Sequence, residues 1–310
     1  MANEDIKGLT GIPSWYIIKI MDGVSTLYQS TGGYLDGTML EGDENVGLVK
    51  YPFFGRFEAV ELVENAVEKV KPSEGDMGVV ESRLKDYEVS HWINVLTKNR
   101  MGPNYQQAII QGCNFALKRR SDMIRINALK AFTTDKVDLD ASARIVNLVD
   151  LKTAAMTVSG LDTVTGDDMY CPLPENMFDQ LMLEPELSTS LYQNGASLPN
   201  TNPGKITSKK IGKVTYLSVP FELYFDPKIT WPATLDIFMW AKSAVGSNVV
   251  RRDNTVSINP MPGYMGTPWL VKALLSATAV GINREGVRRI KFKNNLELKK
   301  SPIVVQQIAI

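Results

Sequence analysis

The stretch NYQQAIIQGCNFALKRRSDMIRINALKAF, residues 104–132, decides the fold of this chain. It has no proline, a single glycine and many helix-favouring residues, so it predicts one α-helix that starts after Gly102-Pro103. Such a helix is about 43 Å long at 1.5 Å per residue, well beyond the usual ~11–12 residues. We therefore expect a strut around which the smaller elements are arranged. Apolar or small residues recur on it every three to four positions and predict one packing stripe: Ile110, Cys113, Leu117, Ser121, Ile124, Ala128 and Phe132.

The residues before this helix predict a long β-hairpin. Residues 46–57 are typical of an extended segment, KPSEGDMG (71–78) is a turn cluster, and the residues from Tyr87 to Val95 alternate between apolar and polar. Residues 57–71 stay undecided, because their valines have helical spacing but β-branched side chains favour strands. An isolated hairpin is marginally stable in water. We therefore expect partner molecules to hold this one.

The two ends of the chain predict segments that pack on something else. Residues 13–30 predict a short helix that ends before Gly32-Gly33, and the acid-rich stretch up to Asn45 predicts an extended arm. Such an arm buries little apolar surface by itself. The C-terminal SPIVVQQIAI (301–310) is apolar for a terminus, so we expect it against a neighbour or the core.

The region after the long helix predicts mixed α and β structure. The expected elements, in chain order, are a helix over 141–153, a short helix near 175–183, a hairpin over 204–221 with Gly212 near its turn, a helix over 232–246 between Pro232 and Gly246, an apolar run at 270–282, and a last strand over 286–295. The sequence thus predicts an α+β chain.

Charge and terminal sequence exclude some classes of protein. Acids and bases balance at 34 each, which gives no evidence for a nucleic-acid binder. Residues 1–90 are acidic, whereas residues 98–130 are basic with Asp122 as their one acid, so the two could attract each other or form separate solvated faces. The N-terminus lacks the order of a signal peptide, and no run of 18 apolar residues predicts a membrane span. We expect an intracellular product.

Residue types that carry chemistry are scarce. Cys113 lies on the helix stripe and is interpreted as a core residue, and Cys171 is distant, so neither a disulfide framework nor a zinc site is expected. The one histidine, His91, is interpreted as structural, in a hairpin strand. No catalytic serine arrangement and no phosphate-binding glycine loop occurs. We expect no enzyme, no cofactor, no metal, and no catalytic or ligand-binding residue.

Two further groups of residues are better explained by structure. Three acidic groups lack EF-hand spacing, and solvated loops are the expectation for them: Glu41-Asp43-Glu44, Asp135-Asp138-Asp140 and Asp167-Asp168. Lys118, Arg119 and Arg120 point in three directions on a helix, and the spacing of Asp122 permits salt bridges with Lys118, Arg119 and Arg125. We expect a solvated or inter-subunit polar face there. Trp231, Trp240 and Trp269 are expected in a core or an interface.

The order of these elements resembles the tailed-bacteriophage major capsid protein family, whose fold is named after phage Hong Kong 97. The helix end RRSDMIRINALKAF resembles the family's spine helix, and the passage YCPLPENMFDQLMLEPELSTSLYQNGASLPNTNPGKITSKKIGKVTYLSVP resembles its proline, helix and Gly-led hairpin. FMWAKSAVG, with Phe238, Lys242 and Ala244-Val245-Gly246, resembles a helix of the family. The resemblance covers roughly residues 46–292.

The resemblance implies a role for each region. It implies an N-terminal arm (1–44), an extended β-hairpin loop over a neighbouring subunit (45–97), a peripheral domain with the spine helix (98–135), an axial domain (136–259), and a return to the peripheral domain with a C-terminal tail (260–310). Some relatives cross-link lysine to asparagine. Lys69, Lys71 and Lys85 are candidates, but nothing in the sequence places an asparagine and an acid beside them, so cross-linking stays open.

The resemblance also implies partners. These are further copies in pentamers and hexamers, a separate scaffolding protein, a portal, a decoration protein in some relatives, and packaged double-stranded DNA held without sequence specificity, all assembled in the cytoplasm of a bacterial host. Two alternatives stay open: an encapsulin-like shell that encloses enzymes, and a soluble enzyme whose site the sequence does not reveal.

Overall fold

The computed structural model describes residues 31–45, 47–54, 77–94, 103–133, 139–140, 148–160, 166–183, 207–224, 232–250, 256–265 and 267–293. They fall into two compact units. The first comprises Met1–Gly32, Asp86–Arg119 and Arg251–Leu275, and the second comprises Gly33–Lys85, Arg120–Val250 and Ser276–Ile310.

The long helix is confirmed as α1, Pro103–Phe132, a single element of 30 residues. Its buried face follows the predicted stripe through Cys113, Leu117 and Ser121 and then departs from it. Ile124 and Ala128 are only partly buried. The buried positions that follow Ser121 are Asp122, Arg125, Ile126 and Leu129. The predicted stripe was wrong there, since the buried face holds Ile126 and Leu129 in place of Ile124 and Ala128. It also includes an aspartate and an arginine that are buried through hydrogen bonds, which a search for apolar residues passes over.

In the first unit, strands pair around one long strand. β4 (Lys85–Ile93) and β11 (Val256–Pro260) both pair with β12 (Trp269–Gly281), and Ile258 lies opposite Val271 in the antiparallel β11–β12 ladder. The apolar run at 270–282 is therefore a strand. Its buried side chains include Val271, Ala273 and Leu275.

The second unit is built on a mixed six-stranded sheet. Its order is β5–β13–β9–β6–β8–β7, where β5 is Leu139–Asp140, β6 Met169–Pro174, β7 Ser208–Ile211, β8 Val214–Val219, β9 Thr234–Ala241 and β13 Val287–Lys293. Helix α2 (Leu148–Ser159) contacts β9 and β13, and helix α3 (Glu175–Met182) contacts β6 and β8. The core between them holds the largest fully buried side chains of the sheet and helices, among them Trp240, Tyr216, Phe178, Phe238 and Phe292.

Two further groups of strands belong to the second unit. β10 (Val245–Val250) pairs with the last residues of β12, with Val245 opposite Gly281 and Val250 opposite Ser276. A three-stranded antiparallel sheet joins β1 (Asp43–Asn45), β2 (Leu48–Phe54) and β3 (Met77–Arg83) in that order.

Several predicted elements are confirmed. The hairpin at 204–221 is β7–β8 with Gly212 at its turn in a left-handed conformation (φ +61°), the short helix is α3, and the last strand is β13. The helix expected over 141–153 is α2, which ends at Ser159, six residues later than predicted. Residues 13–30, 57–71, 141–147 and 301–310 lie outside the described residues.

The helix predicted over 232–246 is wrong. Residues Thr234–Ala241 form strand β9, Lys242–Ala244 form a short 3-10 helix, and Gly246 lies in β10. FMWAKSAVG, whose sequence resembles a helix of the capsid family, is therefore not a helix. β9 lies between β13 and β6, and its residues from Ile237 to Ala241 are fully buried. A strand covered on both faces is a continuous apolar run, which periodicity alone does not separate from a buried helix.

Candidate functional site

The β2–β3 hairpin changes character along its length. Its register runs from Leu48 opposite Arg83 to Phe54 opposite Met77. On β2, near the end that joins the rest of the second unit, Val49 and Tyr51 are fully buried. Toward the other end, Phe53 is 37% exposed, Val79 54% and Met77 60%. We call Phe53, Met77 and Val79 the apolar end of the hairpin. Nothing among the described residues covers these three side chains fully.

The opposite end, the hairpin root, is fixed by one asparagine on β10. The Asn248 side chain accepts a hydrogen bond from the Gly42 N–H and donates one to the Gly42 carbonyl, both at 2.7 Å. The Tyr51 hydroxyl donates to the same Asn248 oxygen at 3.0 Å. Burial, and secondarily the negative charge of Glu41, raises the pKa of Tyr51 to about 12. The phenol is therefore neutral and able to donate at neutral pH.

The segment before the hairpin is bonded along its length to the second unit. Leu40 forms a parallel bridge with β10: its N–H donates to the Val245 carbonyl, and its carbonyl accepts from the Ser247 N–H, both at 2.9 Å. The Trp240 indole donates to the Thr38 carbonyl at 3.0 Å. Residues 33–42 are thus a packed part of this unit.

A buried carboxylate on α1 holds the start of this segment. Asp122 is 1% exposed, and its oxygens accept hydrogen bonds from three successive backbone N–H groups: Gly33 at 2.7 Å, Tyr34 at 3.1 Å and Leu35 at 3.3 Å. Burial raises the pKa of the Asp122 carboxyl, whereas Arg125 and the three N–H groups act to lower it. This anchor replaces the solvated or inter-subunit polar face that the sequence predicted for Asp122.

Arg125 extends the anchor. Its guanidinium donates to Asp122 at 3.2 Å, to Asp36 at 2.7 Å and to the Ser247 hydroxyl at 3.0 Å. The Asp122–Arg125 salt bridge that the spacing permitted is confirmed at 3.2 Å, but the rest of this network was not predicted. Its available signal was the one acid in a basic stretch, three residues before an arginine and next to Ser121 on the predicted packing stripe.

The residues considered for nucleophilic or acid–base chemistry are not brought together. Cys113 and Cys171 are both buried and free, and burial raises the pKa of both thiols, so both stay protonated at neutral pH. The core interpretation of Cys113 is confirmed. His91 lies exposed on β4. Its predicted place in the hairpin is wrong, because β2 pairs with β3 (Met77–Arg83), whereas β4, which holds most of the predicted second leg from Tyr87 to Val95, pairs with β12.

The solvated loops predicted for the acidic groups are wrong at Asp43 and Glu44, which lie in β1, and at Asp140, which lies in β5. Asp167 accepts a hydrogen bond from the Ser243 N–H at 3.1 Å, and Asp168 pairs with Lys210 at 3.0 Å. Asp135 and Asp138 lie outside the described residues. Within the described ranges, no group of three or more His, Cys, Asp or Glu side chains is placed to hold a metal ion.

Two of the three tryptophans expected in a core or an interface lie within the described residues. Trp240 is fully buried in the core, Trp269 is partly buried, and Trp231 is outside the described residues. None of the helices in the described part of the chain is long and apolar enough to cross a membrane. The prominent features of the described residues are therefore an exposed apolar hairpin end and the buried network that fixes its root.

Solved structures share this fold at low sequence identity. The capsid of Ralstonia phage GP4 matches with a TM-score of 0.62 and 11% identity over 96% of this chain and 99% of that chain. The capsid of cyanophage P-SCSP1u gives 0.63 and 10% over 92% and 96%. The mature capsid of bacteriophage PhiM1 gives 0.58 and 10% over 89% and 92%.

The sequence itself also matches a known family. No curated protein sequence matches the chain. The family described as "Phage capsid protein", however, matches residues 12–294, which is most of the chain. The expected mixed α+β fold, similar to that of phage capsid structures, is confirmed. The chain belongs to the phage capsid protein family, and it is a structural subunit of a phage head shell and not an enzyme.

Proposed function

We propose that copies of this chain close into an icosahedral or prolate head shell around double-stranded DNA, with the β2–β3 hairpin laid over a neighbouring subunit. The exposed apolar end of the hairpin carries this proposal. Apolar surface gains about 25 cal/mol for each Å² removed from water. Phe53, Met77 and Val79 leave 37%, 60% and 54% of their surface exposed in their own subunit, so a neighbouring copy is the natural cover.

The regions of the chain would divide the work of assembly. We assign residues 1–44 to an N-terminal arm, 45–97 to the extended loop, 98–135 to a peripheral domain with α1 as its spine, 136–259 to an axial domain and 260–310 to the return and the C-terminal tail. The continuity of α1 over 30 residues supports the spine assignment. The hydrogen bonds of the segment 33–42 indicate that the last part of the arm packs within its own subunit.

The partners follow from this role. The subunit would form pentamers and hexamers with itself, and would meet a separate scaffolding protein, a portal and possible decoration proteins while the shell assembles in the bacterial cytoplasm. Contact with DNA would be non-specific, in keeping with the equal numbers of acids and bases. The encapsulin-like alternative is not favoured, since the matched family is that of phage capsids.

Electron microscopy of the assembled protein tests this function. The full chain, co-expressed with the adjacent head genes, should give closed particles in negative stain, and should contain DNA when produced in infected cells. Light scattering that shows only a compact monomer under these conditions would contradict the shell. Particles filled with a cargo enzyme would instead support the encapsulin-like shell.

Substitutions in the hairpin test the placement of the extended loop. Changing Phe53, Met77 and Val79 together to serine should leave a folded subunit that forms few closed particles. Glu81→Gln is the matched control, because Glu81 lies on β3 with Met77 and Val79. Its exposed 3.1 Å ion pair with Lys50 is of a type that contributes little. Normal particle yield from the triple variant would contradict the loop assignment.

A further inference from the structure

In the Asp122 anchor, one buried carboxylate binds four hydrogen-bond donors. One carboxylate on α1 takes three consecutive N–H groups, and both oxygens are used, Oδ2 by Gly33 and Tyr34 and Oδ1 by Leu35 and Arg125. Hydrogen bonds to an ionised acceptor are shorter and about twice as strong as neutral ones. An amide or a methyl group at this position satisfies fewer of these donors, so the arrangement depends on a carboxylate.

The contacts of the anchor run without a break to the hairpin root. Arg125 binds Ser247 on β10, and the Ser247 N–H donates to the Leu40 carbonyl. Asn248, the next residue on β10, holds both Tyr51 and Gly42, which lies two residues after Leu40. All of these residues belong to the second unit. One network of side-chain and backbone hydrogen bonds therefore links α1, the segment 33–42 and strand β2.

The start of segment 33–42 is constrained a second time, by its glycines. Gly32, in the first unit, has a left-handed conformation (φ +68°) and lies against the backbone of Lys118 and Arg119 so closely that a Cβ would clash. Gly33, which follows it, is also left-handed (φ +78°). Both conformations favour glycine, and at Gly32 a side chain would also clash with the helix backbone. The anchor thus begins immediately after a turn that admits no side chain.

We propose that Asp122 and Arg125 are positioning residues for assembly: they fix segment 33–42 on the long helix and so hold the hairpin root in the orientation that shell closure uses. This inference rests on the proposed role of the hairpin between subunits. The two residues touch no neighbouring copy in this scheme. They act through Ser247, Leu40 and Asn248 on an element that does.

Hydrogen–deuterium exchange on the full-length protein, combined with particle yield, tests the proposal. Asp122→Asn keeps the shape of the side chain but removes the charge and one acceptor. The backbone amides of Gly33, Tyr34 and Leu35 should then exchange about tenfold faster or more, the expected result of losing charged hydrogen bonds. The amides around Tyr51 should follow to a smaller extent. The core strand β9 should be unchanged, and closed particles should be several-fold fewer.

Three further variants keep the test decisive if Asp122→Asn does not fold. Asp36→Asn removes the 52%-exposed partner of Arg125 and should speed exchange of the same amides by a smaller factor. Asp168→Asn, which breaks an exposed ion pair elsewhere in the unit, should change neither exchange at Gly33–Leu35 nor particle yield. Asn248→Ala should loosen the Tyr51 region while the Gly33–Leu35 amides stay protected.

Each outcome decides one part of the proposal. Unchanged exchange of the Gly33–Leu35 amides in both Asp122→Asn and Asp36→Asn would overturn the anchor. Faster exchange with normal particles would overturn the positioning role in assembly. Failure of the wild-type chain to form particles under any condition would count against the proposed function, and the exchange results would still decide the anchor.

Discussion

The six-stranded sheet and the β2–β3 hairpin use apolar residues in opposite ways. On β9, at the middle of the sheet, Phe238, Met239 and Trp240 are fully buried by elements of the same chain. At the far end of the hairpin, Phe53, Met77 and Val79 remain 37–60% exposed. The sheet is stabilised within one subunit, whereas the hairpin end has apolar surface to bury against another. We propose that this difference separates residues that fold the subunit from residues that join subunits.

The largest expected effect is in the sheet. Trp240→Ala leaves a cavity in the core and removes the indole hydrogen bond to Thr38, and such truncations cost about 3–5 kcal/mol. We expect the free energy of unfolding in urea to fall by this amount, with loss of particles as a consequence of unfolding. A variant of unchanged stability would show that β9 is not central to the core.

The buried face of α1 gives the next test. Ile126 is 1% exposed, whereas Ile124 is only partly buried, although the sequence placed Ile124 on the packing stripe. An aspartate at Ile126 would be an unpaired buried charge, so Ile126→Asp should cost several kcal/mol more than Ile124→Asp. Equal losses in urea unfolding would mean that the face described for this half of the helix is wrong.

The hairpin root should respond to alkaline pH. The pKa of Tyr51 is raised to about 12 from an ordinary 10.0, so the unfolded chain ionises first. Stability from the neutral, buried phenol is complete below pH 10 and is lost as pH rises from 10 to 12. Ultraviolet titration should show one phenolate, absent in Tyr51→Phe, that forms near pH 12. Its appearance near pH 10 would contradict the burial of this side chain.

The smallest effect on stability should come from the hairpin end. Val79→Ser changes a side chain that is already 54% exposed, so the free energy of unfolding should move by about 0.5 kcal/mol or less. Particle yield should nevertheless fall, since the apolar surface is expected to be buried between subunits. A loss of several kcal/mol, or an unchanged yield, would remove the contrast between the hairpin end and the sheet.

Sequence reasoning worked where local signals and the tertiary structure agree. Gly102-Pro103 and the absence of further breakers predicted α1, and Gly212 predicted the β7–β8 turn. It failed at β9, where Pro232 and Gly246 resemble helix boundaries while the apolar run between them is buried on both faces. Strand or helix is decided there by the neighbours β13 and β6, which are distant in sequence.

The sequence by itself determined the long helix, the β7–β8 hairpin, the absence of recognisable catalytic motifs and the resemblance to phage capsids, because these depend on spacing along the chain. Only the tertiary structure decided that Asp122 is buried and which side chains of the hairpin are left exposed. The three N–H groups that Asp122 binds lie 87 to 89 residues away. Burial of a charge depends on such distant partners, and no local pattern records them.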